Sequence, residues 1–303
     1  MIEPVDFRYN EETAVNNYFQ SQIEESQETI QQKALAEFQG MVSKLREHGV
    51  NVIVLKDTPE PHTPDSIFPN NWISFHENKM VALYPMFAKN RRDERREEDV
   101  LELLGEKGFD VEEIMDYTSA EEDDIFLEGT GSIILDRVNR IAYAAISPRT
   151  DEGLFLEFCE DFEYTPIIFE ANQTVNGERM PIYHTNVMMC VADQYAVICL
   201  DTIDNKSEKK AVVESLKATG KEIIAISEEQ MHQFAGNMLQ VGGMDEAKYL
   251  VMSQTAYNSL TPEQIQTIEQ YNPIIAVDIH TIETLGGGSA RCMMAEVFLP
   301  KEN

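Results

Sequence analysis

One thiol in this sequence sits where it could do chemistry. Cys292 follows the run Leu285-Gly-Gly-Gly-Ser-Ala-Arg291. Glycine reaches positive φ and allows close backbone approach without a Cβ penalty. Three in succession are poor material for a strand or helix interior. The stretch reads as a tight turn that presents backbone N–H groups and a sulfur to a small ligand. A flexible loop with a core cysteine beyond it is the alternative. The chain also holds an imidazole at His184, in His-Thr-Asn186, and carboxylates at Glu128, in Glu-Gly-Thr-Gly131, and Asp65, in PDSIFPNN. Thiol, imidazole and carboxylate together are the inventory for nucleophilic attack with proton transfer. Cys159, Cys190 and Cys199 lie in apolar contexts and read as small core residues.

Such residues must be brought together by elements far apart in sequence. Tyr18 to His48 reads as a long helix, and Asn51 to Leu55 (NVIVL) as a buried strand. NWISF and MVALY flank a polar turn at His76 to Lys79, which is a hairpin signal. A charged helix from Arg92 to Leu104 follows, closed by Gly105. The layout then returns: SIILD with RIAYAAI, VMMCV with YAVICL, MLQVG with KYLVMS, and finally MMAEVFL. Helices are expected at Leu154 to Phe162, Ser207 to Thr219 and Pro262 to Gln270. Asn71, Gly131, Asn186, Asn237 and Arg291 hold similar places at the strand starts, separated by 60, 55, 51 and 54 residues. An isolated hairpin is marginal, so such units must share a core. The pattern predicts an α/β fold, a five-fold pseudo-symmetric propeller of ββαβ units closed by the N-terminal helix and NVIVL. Strand starts then converge at one end of the axis, where the polar residues would meet.

Composition narrows the partners. Asp and Glu total 54 against 24 Lys and Arg, a net charge of −30. That excess argues against nucleic acid or an anionic membrane surface. No apolar run is long enough to span a bilayer, and the acidic N-terminus does not read as a secretory signal. Four scattered cysteines suit a reducing cytoplasm, with no disulfide framework and no C-x-x-C pair for zinc. The chain is compatible with a homodimer.

Taken in order, these motifs resemble the guanidino-group-modifying, or pentein, superfamily, which includes arginine deiminases, dimethylarginine dimethylaminohydrolases and amidinotransferases. The series runs PDSIFPNN, Asn90-Arg91-Arg92-Asp93-Glu94, Glu128-Gly-Thr-Gly131, Ser147-Pro-Arg149-Thr150, His184-Thr-Asn186 and GGGSARC. The resemblance implies one pentein domain over residues 1–303. It implies Cys292 as nucleophile, His184 as general acid and base, and Glu128 holding the histidine. Asp65 would bind substrate nitrogen, and Arg91 and Arg149 the α-carboxylate. Arg92, Arg95 and Arg96 read as a solvated helix face. Asp278 and His280 are candidates for a supporting role behind the glycine loop. The loops Asp57 to Asp65 and Glu170 to Met180 are candidate lids. No metal or organic cofactor is called for.

Three positions depart from the arginine-directed pattern. Asn71 and Asn186 stand where two aspartates clamp a guanidinium, and Gly131 replaces a further acidic residue. An asparagine offers both a donor and an acceptor, which suits a neutral ureido group. The expected substrate is therefore citrulline, hydrolysed to ornithine, ammonia and carbon dioxide through a covalent Cys292 intermediate. An arginine- or methylarginine-directed deiminase or an amidinotransferase is the alternative, and a non-catalytic binder is the third reading. This points to arginine metabolism and a small amino-acid substrate.

Overall fold

Four times along the chain, two alternating apolar runs close into a hairpin and a helix returns a third strand beside it. In the computed structural model, which describes residues 1–301, the first sheet is Ile73–Phe75, Met80–Leu83 and Glu113–Asp116. The next three are Ile133–Asp136, Ile141–Ile146 and Thr165–Glu170; Met189–Val191, Tyr195–Ile198 and Glu222–Ala225; and Leu239–Gly242, Lys248–Ser253 and Ile274–Val277. In each, the first pair is antiparallel and the second parallel. A parallel partner needs a crossover. Helices Glu97–Glu106, Glu152–Asp161, Lys206–Ala218 and Pro262–Glu269 supply it. The repeat read from the sequence is thus present as four like units of a hairpin, a helix and a parallel third strand.

The chain ends form the fifth unit. Ile2–Glu3 pairs in parallel with Leu55–Lys56, and helix Gln27–Glu47 runs between them. That helix buries Ile30, Ala34, Phe38, Met41, Val42 and Leu45, a stripe at helical spacing. Burying a side chain the size of Phe38 contributes roughly 1.5–3 kcal/mol.

Several boundaries differ from the sequence expectation, each for a visible reason. The long helix starts at Gln27, capped by Ser26, not at Tyr18. Asn10 and Asn17 turn their amide oxygens back onto the N–H groups of Glu12 and Phe19, which stabilises turns over helix. NVIVL joins a ladder only at its end: Leu55 pairs with Ile2, the Met1 amino group takes the Ile53 carbonyl in the same register, and Arg46 takes the Val52 carbonyl. MMAEVFL packs beside Ile2, with Leu299, Ala295 and Val297 in the same apolar cluster, yet forms no strand. Arg291 there takes the Met294 carbonyl at 2.8 Å. The Arg92 to Leu104 helix is two pieces, Lys89–Arg92 and Glu97–Glu106. Gly105 lies inside the second, and Gly108, at φ +80°, follows its end.

Hydrogen bonds at the strand starts stitch neighbouring blades together. Thr130 donates to the Asn70 carbonyl at 3.3 Å, and Thr185 to the Ser132 carbonyl at 2.6 Å. Asn237 Nδ2 donates to the Asn186 carbonyl at 3.0 Å, and the Arg291 N–H to Asn237 Oδ1 at 3.1 Å. The ring closes where Gly286 and Gly288 lie on the Phe68 ring, a Cβ on either falling within 2.9 Å of it.

Candidate active site

Four short turns at this end of the axis carry the reactive residues. Pro69–Asn71 presents Asn71, Gly129–Ser132 begins at Glu128, Thr185–Val187 begins at His184, and helix His280–Gly286 ends at Gly287 before Cys292. Gly287 sits at φ +62°, which only glycine adopts freely. Six of the eight residues singled out by sequence line one small cleft: Cys292, His184, Asp65, Asn71, Arg91 and Arg149. The other two stand directly behind it. Glu128 bonds His184, and Asn186 bonds Cys292. All eight are buried.

The imidazole is held through one nitrogen. His184 Nε2 donates to Glu128 Oε2 at 2.6 Å, and Glu128 Oε1 accepts the Phe87 N–H at 2.9 Å. Burial alone would raise the Glu128 carboxyl. Arg149 at 3.4 Å, the His184 bond and Arg91 at 4.0 Å outweigh it and hold the group well below the carboxylate range. Burial pulls His184 down to about 4, against the pull of Glu128. At neutral pH the ring is therefore uncharged, with Nε2 protonated and Nδ1 free to accept a proton.

Arg91 lies between carboxylates. Its Nε and Nη2 fork onto Glu94 at 3.0 and 2.9 Å, and Nη1 donates to Asn71 Oδ1 at 2.9 Å. Burial would lower its basicity, but Glu94, Asp65 and Glu128 push it up. Arg149 meets Glu128, the Asn16 amide oxygen and the Thr13 carbonyl, with its guanidinium 5.0 Å from the Tyr183 ring. Burial pushes the Asp65 carboxyl up in spite of Arg91, Asn10 and Thr13.

Three buried polar atoms here have no partner: Asp65 Oδ1, Asn71 Nδ2 and Asn186 Oδ1. An unsatisfied buried group costs roughly 1–3 kcal/mol. Asn71 is fixed by Arg91 on its oxygen, so its open atom is a donor. Asn186 is fixed by Cys292 on its nitrogen, so its open atom is an acceptor. Gly131 explains itself beside them. A Cβ there would collide with Asn71 Nδ2 and fall 2.9 Å from His184 Nδ1. Gly131→Ala is expected to lower kcat at least tenfold by displacing these two groups, with folding kept; steady-state kinetics beside a thermal melt checks it.

Sequence reasoning missed the cover. Residues 10–20 lie over the cleft: Asn10 and Thr13 bond Asp65 at 2.8 and 3.2 Å, and Gln20 bonds the Leu285 carbonyl at 2.9 Å. The proposed lid at Glu170 to Met180 is instead a hairpin, Asn172–Val175 with Glu178–Pro181, pinned outside by Arg179 to Asp204 and Glu228. Asp278 and His280 are exposed, away from the supporting role expected. Glu94, inside the Asn90–Glu94 motif, and Tyr183, next to His184 with its hydroxyl on the Gly287 carbonyl at 2.7 Å, were given no role by sequence. Asn237 was placed only as a strand-start residue converging on this end of the axis, and its bond to Cys292 was not foreseen.

Residues 3–299 match the family described as N,N dimethylarginine dimethylhydrolase, eukaryotic. The chain belongs to this dimethylarginine dimethylhydrolase family. It thereby sits among the guanidino-modifying pentein enzymes. No curated protein matches the sequence. Among solved structures it resembles apo ArgZ, an arginine dihydrolase from the ornithine-ammonia cycle in cyanobacteria, with TM-score 0.73 and 17% identity over 100% of this chain. It spans only 40% of that ArgZ chain. It resembles the ArgZ N-terminal domain covalently bound to a reaction intermediate at TM-score 0.69 and 18% identity, covering 99% of this chain and 98% of that one. A dimethylarginine dimethylaminohydrolase adduct with S-methyl-L-thiocitrulline gives TM-score 0.61 at 15% identity, over 87% of this chain and 88% of that one. These likenesses establish the fold. Among the described residues no helix is long and apolar enough to cross a membrane.

Proposed function

We propose that this chain hydrolyses guanidino C–N bonds of arginine through a covalent Cys292 intermediate and carries the carbon on to ornithine. The observation that carries this reading is the mixed set of unpaired atoms, a donor on Asn71 and an acceptor on Asp65 in the cleft and an acceptor on Asn186 directly behind it. A guanidinium is all donor and would leave the Asn71 N–H unmatched. A ureido group offers a carbonyl to Asn71 and N–H groups to the two acceptors. The relatives named for arginine and dimethylarginine favour entry as a guanidino group. The two asparagines favour a site that also handles the neutral product of the first cleavage. Citrulline then belongs to the second half of the reaction.

In this reading the sulfur attacks the guanidino carbon as its proton passes to His184 Nδ1. His184 returns the proton to the departing ammonia, leaving an S-amidino link to the cysteine. A water, deprotonated by His184, replaces a second ammonia, and a second water releases the thiolate. Ornithine N-carbamate then loses carbon dioxide. Arginine and two waters become ornithine, two ammonia and carbon dioxide. Arg149 serves the α-carboxylate end, and Arg91, its donors taken by Glu94, Asn71 and the Phe68 carbonyl, holds Asn71 in its orientation. An incoming carboxylate takes the Arg149 donors now held by Asn16 and Thr13, so residues 10–20 lift for entry. A nucleophilic thiol fits a reducing compartment such as the cytoplasm.

The test is product analysis with arginine, monomethylarginine, dimethylarginine and citrulline as separate sole substrates. Arginine is expected to give ornithine with two ammonia and one carbon dioxide per turnover, and citrulline to give ornithine with one ammonia and one carbon dioxide. Accumulation of citrulline that the protein does not consume removes the second half of the proposal. Turnover confined to methylated arginine would assign the chain to demethylating hydrolysis instead.

A further inference from the structure

The sulfur of Cys292 has two close partners, and neither is the imidazole. His184 spends Nε2 on Glu128. Cys292 Sγ instead accepts from Asn237 Nδ2 at 3.3 Å and from Asn186 Nδ2 at 3.4 Å. We infer that Asn237, together with Asn186, forms an amide pair that positions the Cys292 sulfur and favours its ionised form.

The geometry gives each end of Asn237 a task. Its nitrogen also donates to the Asn186 carbonyl, and its oxygen accepts the Arg291 N–H at 3.1 Å, one residue before the nucleophile. The same oxygen lies 3.6 Å from the sulfur, where it accepts the S–H of the neutral thiol. When that proton leaves, two N–H donors remain aimed at the anion. Hydrogen bonding to a charged form favours that form. The side chain itself cannot drift. Its backbone N–H bonds the Phe234 carbonyl at 2.9 Å, and Gly236 lies so close to the Val187 carbonyl that no Cβ would fit. Asn237 is fully buried, so solvent does not compete for its amide. It is a positioning residue acting through Cys292. An aspartate at either position would set a carboxylate against the sulfur. That gives the departure at Asn186 a second reason, independent of what the substrate is.

The inference concerns the nucleophile assigned in the proposed function, but its test needs no substrate. Cys292 is alkylated with iodoacetamide from about pH 5 to about pH 9, and modification of its own peptide is followed by mass spectrometry. Asn237→Asp keeps the shape and the acceptor for Arg291 while removing the donor. Its half-maximal rate is expected to move to higher pH by about one unit, with alkylation near neutral pH slowed roughly tenfold. Asn186→Asp is expected to do the same, and it decides the matter if Asn237→Asp does not fold. Asn237→Ser, which restores a small donor, should recover part of the shift. A folded variant whose rate falls by one factor at every pH, with no shift of the midpoint, would overturn the inference, as would an unchanged profile. Failure of arginine turnover would leave this result standing, and failure here would leave the turnover assay unaffected.

Discussion

Cys292→Ser is expected to fold normally and to lose turnover by about 10⁴-fold or more. The reasoning starts from the sulfur's surroundings. It is buried, it accepts from two amides at 3.3 and 3.4 Å, and it lines the same cleft as the His184 ring. A serine hydroxyl stays protonated where a thiol ionises, so it needs a base at the moment of attack. The distances set for sulfur also leave a shorter Oγ farther from both amides. Ammonia release from arginine measures the loss. Acid-quenched wild-type protein should show a mass increment on the Cys292 peptide that the serine variant lacks. Serine at Cys159, Cys190 or Cys199 is expected to leave turnover within a few-fold, since these thiols are buried in apolar clusters. Retention of turnover in Cys292→Ser would remove the nucleophile and with it the proposed chemistry.

The blades were legible because their signal is local. Alternating runs such as NWISF with MVALY, followed by helices and repeating every 51 to 60 residues, specify hairpins whatever surrounds them. The fifth unit was misread because its pairing joins distant parts of the chain: Ile2 and Glu3 pair with Leu55 and Lys56, and the Met1 amino group takes the Ile53 carbonyl in the same register. Side chains close in sequence take further carbonyls, Arg46 that of Val52 and Arg291 that of Met294. Residues 10–20 failed for a related reason. Side chains of Asn10, Thr13 and Gln20 bond Asp65 and Leu285, more than fifty residues away, and no local pattern announces that.

The site divides along the same line. Residue types in motif order named six residues that line the cleft and two directly behind it, because most motifs sit at a strand start and the ring brings strand starts together; Thr13, Asn17 and Tyr183 line it too and were missed. What the motifs could not give is the polarity of each group. Asn71 and Asn186 read alike in sequence. Only the guanidinium of Arg91 on one, and the sulfur of Cys292 on the other, leave the first presenting N–H and the second presenting C=O. The proposed reaction uses that difference, the donor for a carbonyl and the acceptor for an N–H.

Glu128→Gln carries the second large effect, and its sign follows from the imidazole. His184 at about 4 is neutral through the physiological range, so the wild-type kcat/KM should hold on its acid side until pH falls toward that value. Protonation of His184 before substrate arrives removes the base that takes the thiol proton, so activity declines as pH drops through about 4. Glu128 is the main influence raising His184 against burial. Without the carboxylate, the imidazolium formed during each proton transfer loses its counter-charge, and the ring becomes a still weaker base. A glutamine amide can also present N–H to Nε2 and impose the wrong tautomer. Losses of this kind run to roughly 10³–10⁴-fold in kcat. Arg149 would meanwhile face the cleft without its anion, so a modest fall in melting temperature is expected. A pH series of kcat and KM, in variant and wild type, separates the two consequences. A large drop in kcat with little change in KM places Glu128 behind the proton transfer. A rise in KM alone would mean that its work is to hold Arg149 for binding, and the role given to His184 as the proton carrier would then have to be abandoned.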